Sequence, residues 1–163
     1  MIQNKEIILI LDNIRSTHNV GSIFRTADAA RVSKIYLVGI TPDPIDRFGR
    51  KRSDISKASL GAEESIEWEH SSDMASLISK LKEKSFEVVA LEQSELAIDY
   101  KEFQKTSLGL EKLALILGSE VEGISKDILS LCDKIIDIPM LGEKESLNVS
   151  VATGVALFRI LNI

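Results

Sequence analysis

The chain has 163 residues, 44% of them hydrophobic and 28% charged, with nine glycines and three prolines, which excludes a disordered or collagen-like protein and fits a single globular domain. Its 20 basic and 25 acidic residues leave a net charge of −5, which excludes a polyanion binder held by its overall field and leaves only a local anionic site. The one cysteine, Cys132, can neither close an internal disulfide nor build a zinc or iron–sulfur ligand set.

Residues 6–11, EIILIL, are short, rich in isoleucine and followed at once by the polar DNIRSTHN, as in a buried strand feeding a loop. The opening 16 residues lack the pattern of a secretory leader. With no lipidation motif and no apolar run of about 18 residues anywhere in the chain, a cytoplasmic protein without membrane contact is expected. From Asn19 the spacing changes: Val20, Ile23, Phe24 and Ala27 share one side of a helix running to Ala30, and Arg25 points elsewhere. KIYLVG at 34–39 makes a second strand. Residues 41–57, with Pro42, Pro44, Gly49 and several charges, are expected to be a long excursion without a core element.

Met74, Leu77, Ile78 and Leu81 recur at helical intervals over 74–84, and EVVAL at 87–91 follows as a strand. LALILG at 113–118 and KIIDIP at 134–139 supply two more, separated by a helix capped by Ser125 and ending near Leu131. The closing LNVSVATGVALFRILNI is the longest helical candidate, and its apolar positions wrap widely enough to predict burial against a sheet and a second surface. This alternation predicts an α/β fold, a mostly parallel sheet covered by helices. No GxGxxG follows the first strand and no GxxxxGK[ST] occurs, so dinucleotide and P-loop chemistry lack their signatures.

Three polar islands interrupt the pattern. The first, STHNVGSIFRTADA at 16–29, sets Asn19, Gly21, Ser22 and Arg25 at a strand-to-helix junction: an amide, a small residue where backbone can approach a ligand, and a guanidinium suited to phosphate. Plain structural roles serve as well, with Asn19 as a helix cap, Gly21 as packing relief and Arg25 as half of a surface ion pair. The second, ILGSEVEGIS at 116–125, puts Gly118, Ser119, Glu120 and Gly123 after an apolar strand, where parallel sheets bind ligands. A glycine-rich turn with an exposed acid explains it equally. The third, IPMLGEKESLNVSVATG at 138–154, offers a tight turn at Gly142 and hydrogen-bonding Ser146 and Asn148 before the last helix, with helix capping as the alternative. Glu120 and Glu122 stand two residues apart with no further ligands, so no metal site is expected.

Together and in this order, NVGSIFRTA, LGSEVEG and IPMLGEKESLNVSVATG resemble the three motifs of the SpoU/TrmH family of RNA 2′-O-methyltransferases, part of the SPOUT class, over residues 19–154. ASLGAEESIEWEH at 58–70 resembles the family's intermediate region. The resemblance implies a C-terminal deep trefoil knot in the α/β domain, against the general rarity of knots, and a homodimer. It also implies S-adenosylmethionine as methyl donor, an RNA ribose 2′-hydroxyl as acceptor and S-adenosylhomocysteine as product, without a metal. Residues 1–163 then read as one methyltransferase domain with no separate RNA-binding domain, which makes tRNA the first expected target.

The resemblance assigns Asn19, Arg25, Glu120, Ser146 and Asn148 to the catalytic site. Arg25 is expected to position ribose and phosphate rather than accept a proton, because a guanidinium stays protonated far above neutral pH. Glu120 is expected to organise the pocket by anchoring Arg25 or a loop, and Ser146 and Asn148 to arrange RNA, knot or donor. Leu117, Gly118, Ile138, Met140 and Leu147 are implied to line the donor pocket, with a core role as the alternative for the apolar members. His18 is expected to support its loop rather than act as a base, and His70 receives no catalytic assignment.

Charge is distributed regionally: residues 1–60 hold ten basic and six acidic side chains, and the rest of the chain ten and 19. Arg15, Arg25, Arg31, Arg47, Arg50, Lys51 and Arg52 are therefore candidates for an RNA-facing surface. Two other functions stay open at this level: a non-catalytic RNA-binding homodimer with a retained knotted pocket, and a methyltransferase acting on another macromolecule.

Overall fold

A computed structural model describes residues 5–163, so Met1–Asn4, the start of the segment weighed as a leader, lie outside it. Among the described residues, strands β1 (Glu6–Asp12), β2 (Lys34–Val38), β3 (Glu67–Ser71), β4 (Glu87–Leu91), β5 (Ile98–Asp99), β6 (Lys112–Gly118) and β7 (Lys134–Asp137) form one sheet. Its order is β3-β2-β1-β6-β4-β7-β5, with every neighbouring pair parallel. Helices α1 (Thr17–Ala29), α2 (Ser53–Ser59), α3 (Ala62–Ser65), α4 (Met74–Glu83), α5 (Tyr100–Thr106), α6 (Lys126–Leu131) and α7 (Val149–Leu161) supply the crossovers and cover both faces.

Strand side chains alternate between those faces. In β1, Ile7, Leu9 and Leu11 pack with Phe24 of α1, Ile55 of α2, Phe103 of α5 and Leu157 of α7. Ile8 and Ile10 instead face Leu77, Ile78 and Leu81 of α4, with Ile128 and Leu129 of α6 at the margin. Burial on both faces explains why the central strands read as unbroken apolar runs.

The sequence expectation for 41–57 needs one correction: α2 begins at Ser53, and Ile55 is fully buried. A seven-residue helix with a single large apolar anchor leaves too little periodicity to read. The edge strand β3 was equally silent, since EWEHS has one large apolar residue. It is tied to the sheet by Lys34, whose ammonium meets Glu67 and Glu69 at 2.8 and 2.9 Å. Asn19 does not cap α1. Ser16 does, its Oγ accepting the Asn19 backbone N–H at 3.1 Å, and that leaves the Asn19 side chain free for another task. The predicted Ser125 cap of α6 is present, with Oγ accepting from the Ile128 N–H at 3.3 Å.

Packing relief is the structural role of Gly21. A Cβ there would stand 2.5 Å from the Ile55 carbonyl oxygen and 2.7 Å from Ala58 Cβ, so α1 and α2 touch almost backbone to backbone. Gly21→Ala is expected to destabilise the fold by about 1–3 kcal/mol through overpacking. The measurement is urea unfolding: a lower midpoint at constant m is expected, and an unchanged midpoint would show that the helices separate at no cost.

Candidate active site

The three polar islands converge at the carboxyl edge of the sheet. There β1 is followed by α1 on one face while its neighbour β6 is followed by α6 on the other, so the two connections diverge and leave a crevice. A cleft of about 460 Å³ opens at this edge, between the ends of β4, β6 and β7 and the start of α7. Leu117, Gly118, Ile138, Met140 and Leu147, the predicted donor-pocket residues, all line it, as do Glu120, Ser146 and Asn148. Leu117 is also a core residue.

Gly118 is required by the loop itself: a Cβ would meet Ile124 Cγ1 at 2.6 Å and the Gly123 carbonyl carbon at 2.8 Å. The segment after β6 folds back on its own start, with the Gly123 N–H donating to the Ser119 carbonyl at 2.9 Å. Gly123 has φ +66°, a conformation costly for a residue with a side chain.

Asn19 joins the islands from beneath. Its Nδ2 donates to Glu120 Oε1 at 2.8 Å, and its Oδ1 accepts from Asn148 Nδ2 at 3.1 Å. Asn148 in turn caps α7, its Oδ1 accepting the N–H groups of Ser150 and Val151 at 2.9 and 3.4 Å. Only 8% of Asn19 is exposed, so its amide is committed to this chain rather than to a ligand. Glu120 thereby anchors Asn19, not Arg25, which corrects one of its two expected roles.

Arg25 lies on the exposed side of α1 and does not line the cleft; among the described residues it has no ion pair. His18, in the first turn of the same helix, is exposed and away from the lining. His70 pairs instead with Asp43 at 2.6 Å. The predicted basic surface is partly neutralised. Arg50 pairs with Asp46, Lys51 with Glu64 and Arg52 with Asp54, whereas Arg15, Arg31 and Arg47 have no carboxylate partner among the described residues. Exposed pairs of this kind contribute about 0–1 kcal/mol, so a phosphate can displace them.

Sequence reasoning missed Glu92 and Gln93, which follow β4 and line the same cleft. Glu92 Oε2 accepts the Ile124 N–H at 2.8 Å, fastening the loop after β6. Gln93 Nε2 donates to the Glu145 carbonyl at 2.6 Å, fastening the loop after β7. The available signal was an acid and an amide directly after a buried strand; their target appeared only once β4 was seated between β6 and β7. Asp137 also lines the cleft, and burial, then the nearby Asp99 charge, hold its carboxyl above the ordinary range. Among the described residues no group of His, Cys, Asp and Glu is arranged to hold a metal ion. The cleft thus offers apolar side chains, backbone groups from two tied loops and the acids Glu92, Glu120, Glu122 and Asp137, suited to a small ligand with one flat apolar part and one polar or cationic part.

The sequence pattern of the SpoU rRNA Methylase family matches residues 6–158. The 23S rRNA (guanosine-2′-O-)-methyltransferase RlmB of Escherichia coli (strain K12) is 35% identical over 151 residues, covering 93% of this chain and 58% of that protein. The crystal structure of the A. aeolicus TrmH/SpoU tRNA modifying enzyme superposes with a TM-score of 0.82 at 28% identity, over 99% of this chain and 76% of that one. An AdoMet-bound rRNA methyltransferase from Sinorhizobium meliloti gives 0.83 at 28% identity, over 99% and 57%. The chain therefore spans little more than half the length of the curated relative it matches.

Proposed function

The chain belongs to the SpoU rRNA methylase family, and from that premise we propose that it transfers a methyl group from S-adenosylmethionine to an RNA ribose 2′-hydroxyl. The observation that carries this reading is the convergence of the eight residues Glu120, Ser146, Asn148, Leu117, Gly118, Ile138, Met140 and Leu147 on one cleft at the sheet's carboxyl edge. Its volume of about 460 Å³ falls within the usual range for a small ligand, about 300–1,000 Å³. Leu117, Ile138, Met140 and Leu147 would hold the adenosine, and the loops after β6 and β7 would offer backbone hydrogen bonds to its polar edges. When bound, the donor supplies a sulfonium methyl: the O–CH₃ bond forms as S–CH₃ breaks, and the hydroxyl proton leaves to water or a substrate phosphate.

The chain's own residues orient and exclude. Asn19 and Glu120 hold the loop after β6 against the start of α7, keeping the floor of the cleft fixed while RNA arrives. Arg25, charged and unpaired among the described residues, binds the phosphate flanking the target ribose. Val151, Val155 and Phe158 form an exposed apolar face on α7 while Thr153, Ala156, Leu157 and Ile160 face the core. α7 meets the sheet at β6 and a second surface at α1 and α5 of its own chain, and the apolar face left exposed among the described residues supports a homodimer joined through α7. The deep trefoil knot belongs to the same proposal and rests on membership of the family.

Within RNA, tRNA is the proposed first target; the similarity to an rRNA guanosine methyltransferase makes rRNA the second. Purified protein incubated with labelled S-adenosylmethionine and separated tRNA and rRNA pools is expected to label one pool. Nuclease digestion should then return the label as a 2′-O-methyl nucleoside. Donor and RNA binding without transfer would favour the non-catalytic binder, and label recovered in a base or a protein would favour a different acceptor.

The clamp after β4 can be tested independently of RNA. Glu92→Ala removes the acceptor for the Ile124 N–H, a charge-assisted bond of about 1.5–3 kcal/mol. Donor affinity is expected to fall about tenfold in calorimetric titration, with the fold retained. Unchanged affinity would remove Glu92 from the site.

A further inference from the structure

The segment between β2 and α2 carries a feature that methyl transfer does not use. Ile45 and Lys51 form an antiparallel bridge, and Asp46 closes the turn between them. Its backbone N–H donates to the Arg50 carbonyl at 2.8 Å and its carbonyl accepts from Gly49 at 3.0 Å. Its Oδ1 accepts the N–H groups of Phe48 and Arg50 at 2.8 and 3.0 Å, and Oδ2 accepts from Arg50 Nε at 3.0 Å. Gly49 provides the left-handed position with φ +77°. A turn so fully tied needs nothing from the Phe48 side chain, yet that ring stands at its tip 66% exposed. The guanidiniums of Arg47 and Arg50 lie 4.8 and 5.0 Å from the ring centroid.

An exposed phenyl ring costs solubility, and here two cations accompany it in a chain of net charge −5. Residues 42–52 hold four basic side chains against two aspartates, so the local sign is reversed. The combination matches one ligand chemistry closely. A nucleobase presents a flat π-face to an aromatic ring and carries a phosphate for the neighbouring guanidiniums. An apolar protein surface would instead have to desolvate both guanidiniums without pairing them. Arg47 has no carboxylate partner among the described residues, so its charge is available, while Arg50 is braced by Asp46.

We propose that Phe48 is a stacking platform for an unpaired nucleobase of the RNA, with Arg47 holding the adjoining phosphate and Arg50 fixing the ring's flank. This rests on RNA being the substrate and adds what the cleft does not specify: that the RNA is recognised through a base outside a helix, away from the reacting ribose.

The test uses the full chain and three RNAs of equal length, a stem-loop, a single strand and a blunt duplex, in fluorescence anisotropy titrations. Phe48→Ala is expected to weaken binding of the stem-loop and the single strand about tenfold and to leave the duplex unchanged. Phe48→Trp should restore the affinity, with indole fluorescence quenched as the base stacks. Arg47→Ala should weaken the stem-loop and the single strand and reduce their salt slope by about one. Should the unaltered protein bind and methylate RNA while Phe48→Ala binds the stem-loop equally well, the platform is overturned and the RNA reading stands. Should the unaltered protein neither bind nor methylate RNA, both fall. A Phe48→Ala effect confined to dimer dissociation, or to binding of phosphatidylserine vesicles, would assign the ring to a second copy or a membrane and also overturn the platform.

Discussion

Replacing Arg25 with alanine is expected to lower methyl transfer to RNA by about 10²-fold, the size seen when one preorganised electrostatic donor is removed, while leaving fold and donor affinity unchanged. The separation of effects follows from where the side chain stands. Val20, Ile23, Phe24 and Ala27 bury one face of α1, whereas Arg25 is exposed and has no ion pair among the described residues. Losing it should therefore change stability by less than about 0.5 kcal/mol. Arg25→Lys keeps the charge but loses the planar fork, so an intermediate rate is expected. Since Arg25 does not line its own chain's cleft, a homodimer would let it serve the cleft of a partner. A mixed dimer of Arg25→Ala and Glu92→Ala chains would then hold one site with both residues intact, and at limiting donor its methyl transfer should exceed that of either variant alone. Parallel losses of folded protein and donor binding in Arg25→Ala would reduce the residue to a structural one.

The second large effect is expected at Asn19. Asn19→Asp is nearly isosteric but replaces the donor to Glu120 Oε1, 2.8 Å away, with a carboxylate oxygen. Two carboxylates at hydrogen-bond distance cannot both ionise, so one must keep a proton and its pKa rises above the ordinary range. A raised folded-state pKa makes the contribution present at low pH and lost as pH rises through the shifted value. The variant should be close to wild type in stability near pH 4–5 and weaker by about 1–3 kcal/mol at neutral pH, comparable to a buried unsatisfied group. Methyl transfer at neutral pH should fall about tenfold or more, because the loop after β6 and the Asn148 cap of α7 lose their common tie. Thermal melts across pH read the first effect and a methyl-transfer assay at neutral pH the second. A pH-independent deficit would mean that Glu120 swings away and that the tie carries no load.

Much of this site was legible before folding. The residues expected at the donor pocket lie in the second and third motifs, at the end of β6 and in the segment after β7, and a strand buried on both faces announces its end by the first polar or glycine residue. Ser146, Asn148 and Glu120 came from the family resemblance, since the junctions alone allowed helix capping and an exposed turn acid as well. Less legible was what each polar group touches. For Asn19 the sequence left two readings, a site residue or a helix cap, because cap residues and buried amides share the same chemistry. Its real partners, Glu120 and Asn148, are 101 and 129 residues away. Glu120 and Arg25 appeared natural partners by charge, yet α1 turns them apart.

Local sequence thus determined the α/β alternation, the position of each central strand and the three motifs that meet at the cleft, because apolar periodicity and junction chemistry act over a few residues. Tertiary structure alone decided the strand order that seats β4 between β6 and β7 and so turns Glu92 and Gln93 into fasteners of both loops. It also decided which cations are paired, and it left Phe48 bare beside two guanidiniums. These outcomes depend on contacts between segments far apart in the chain, where parallel pairing and packing of whole helices set the distances and no local pattern records them.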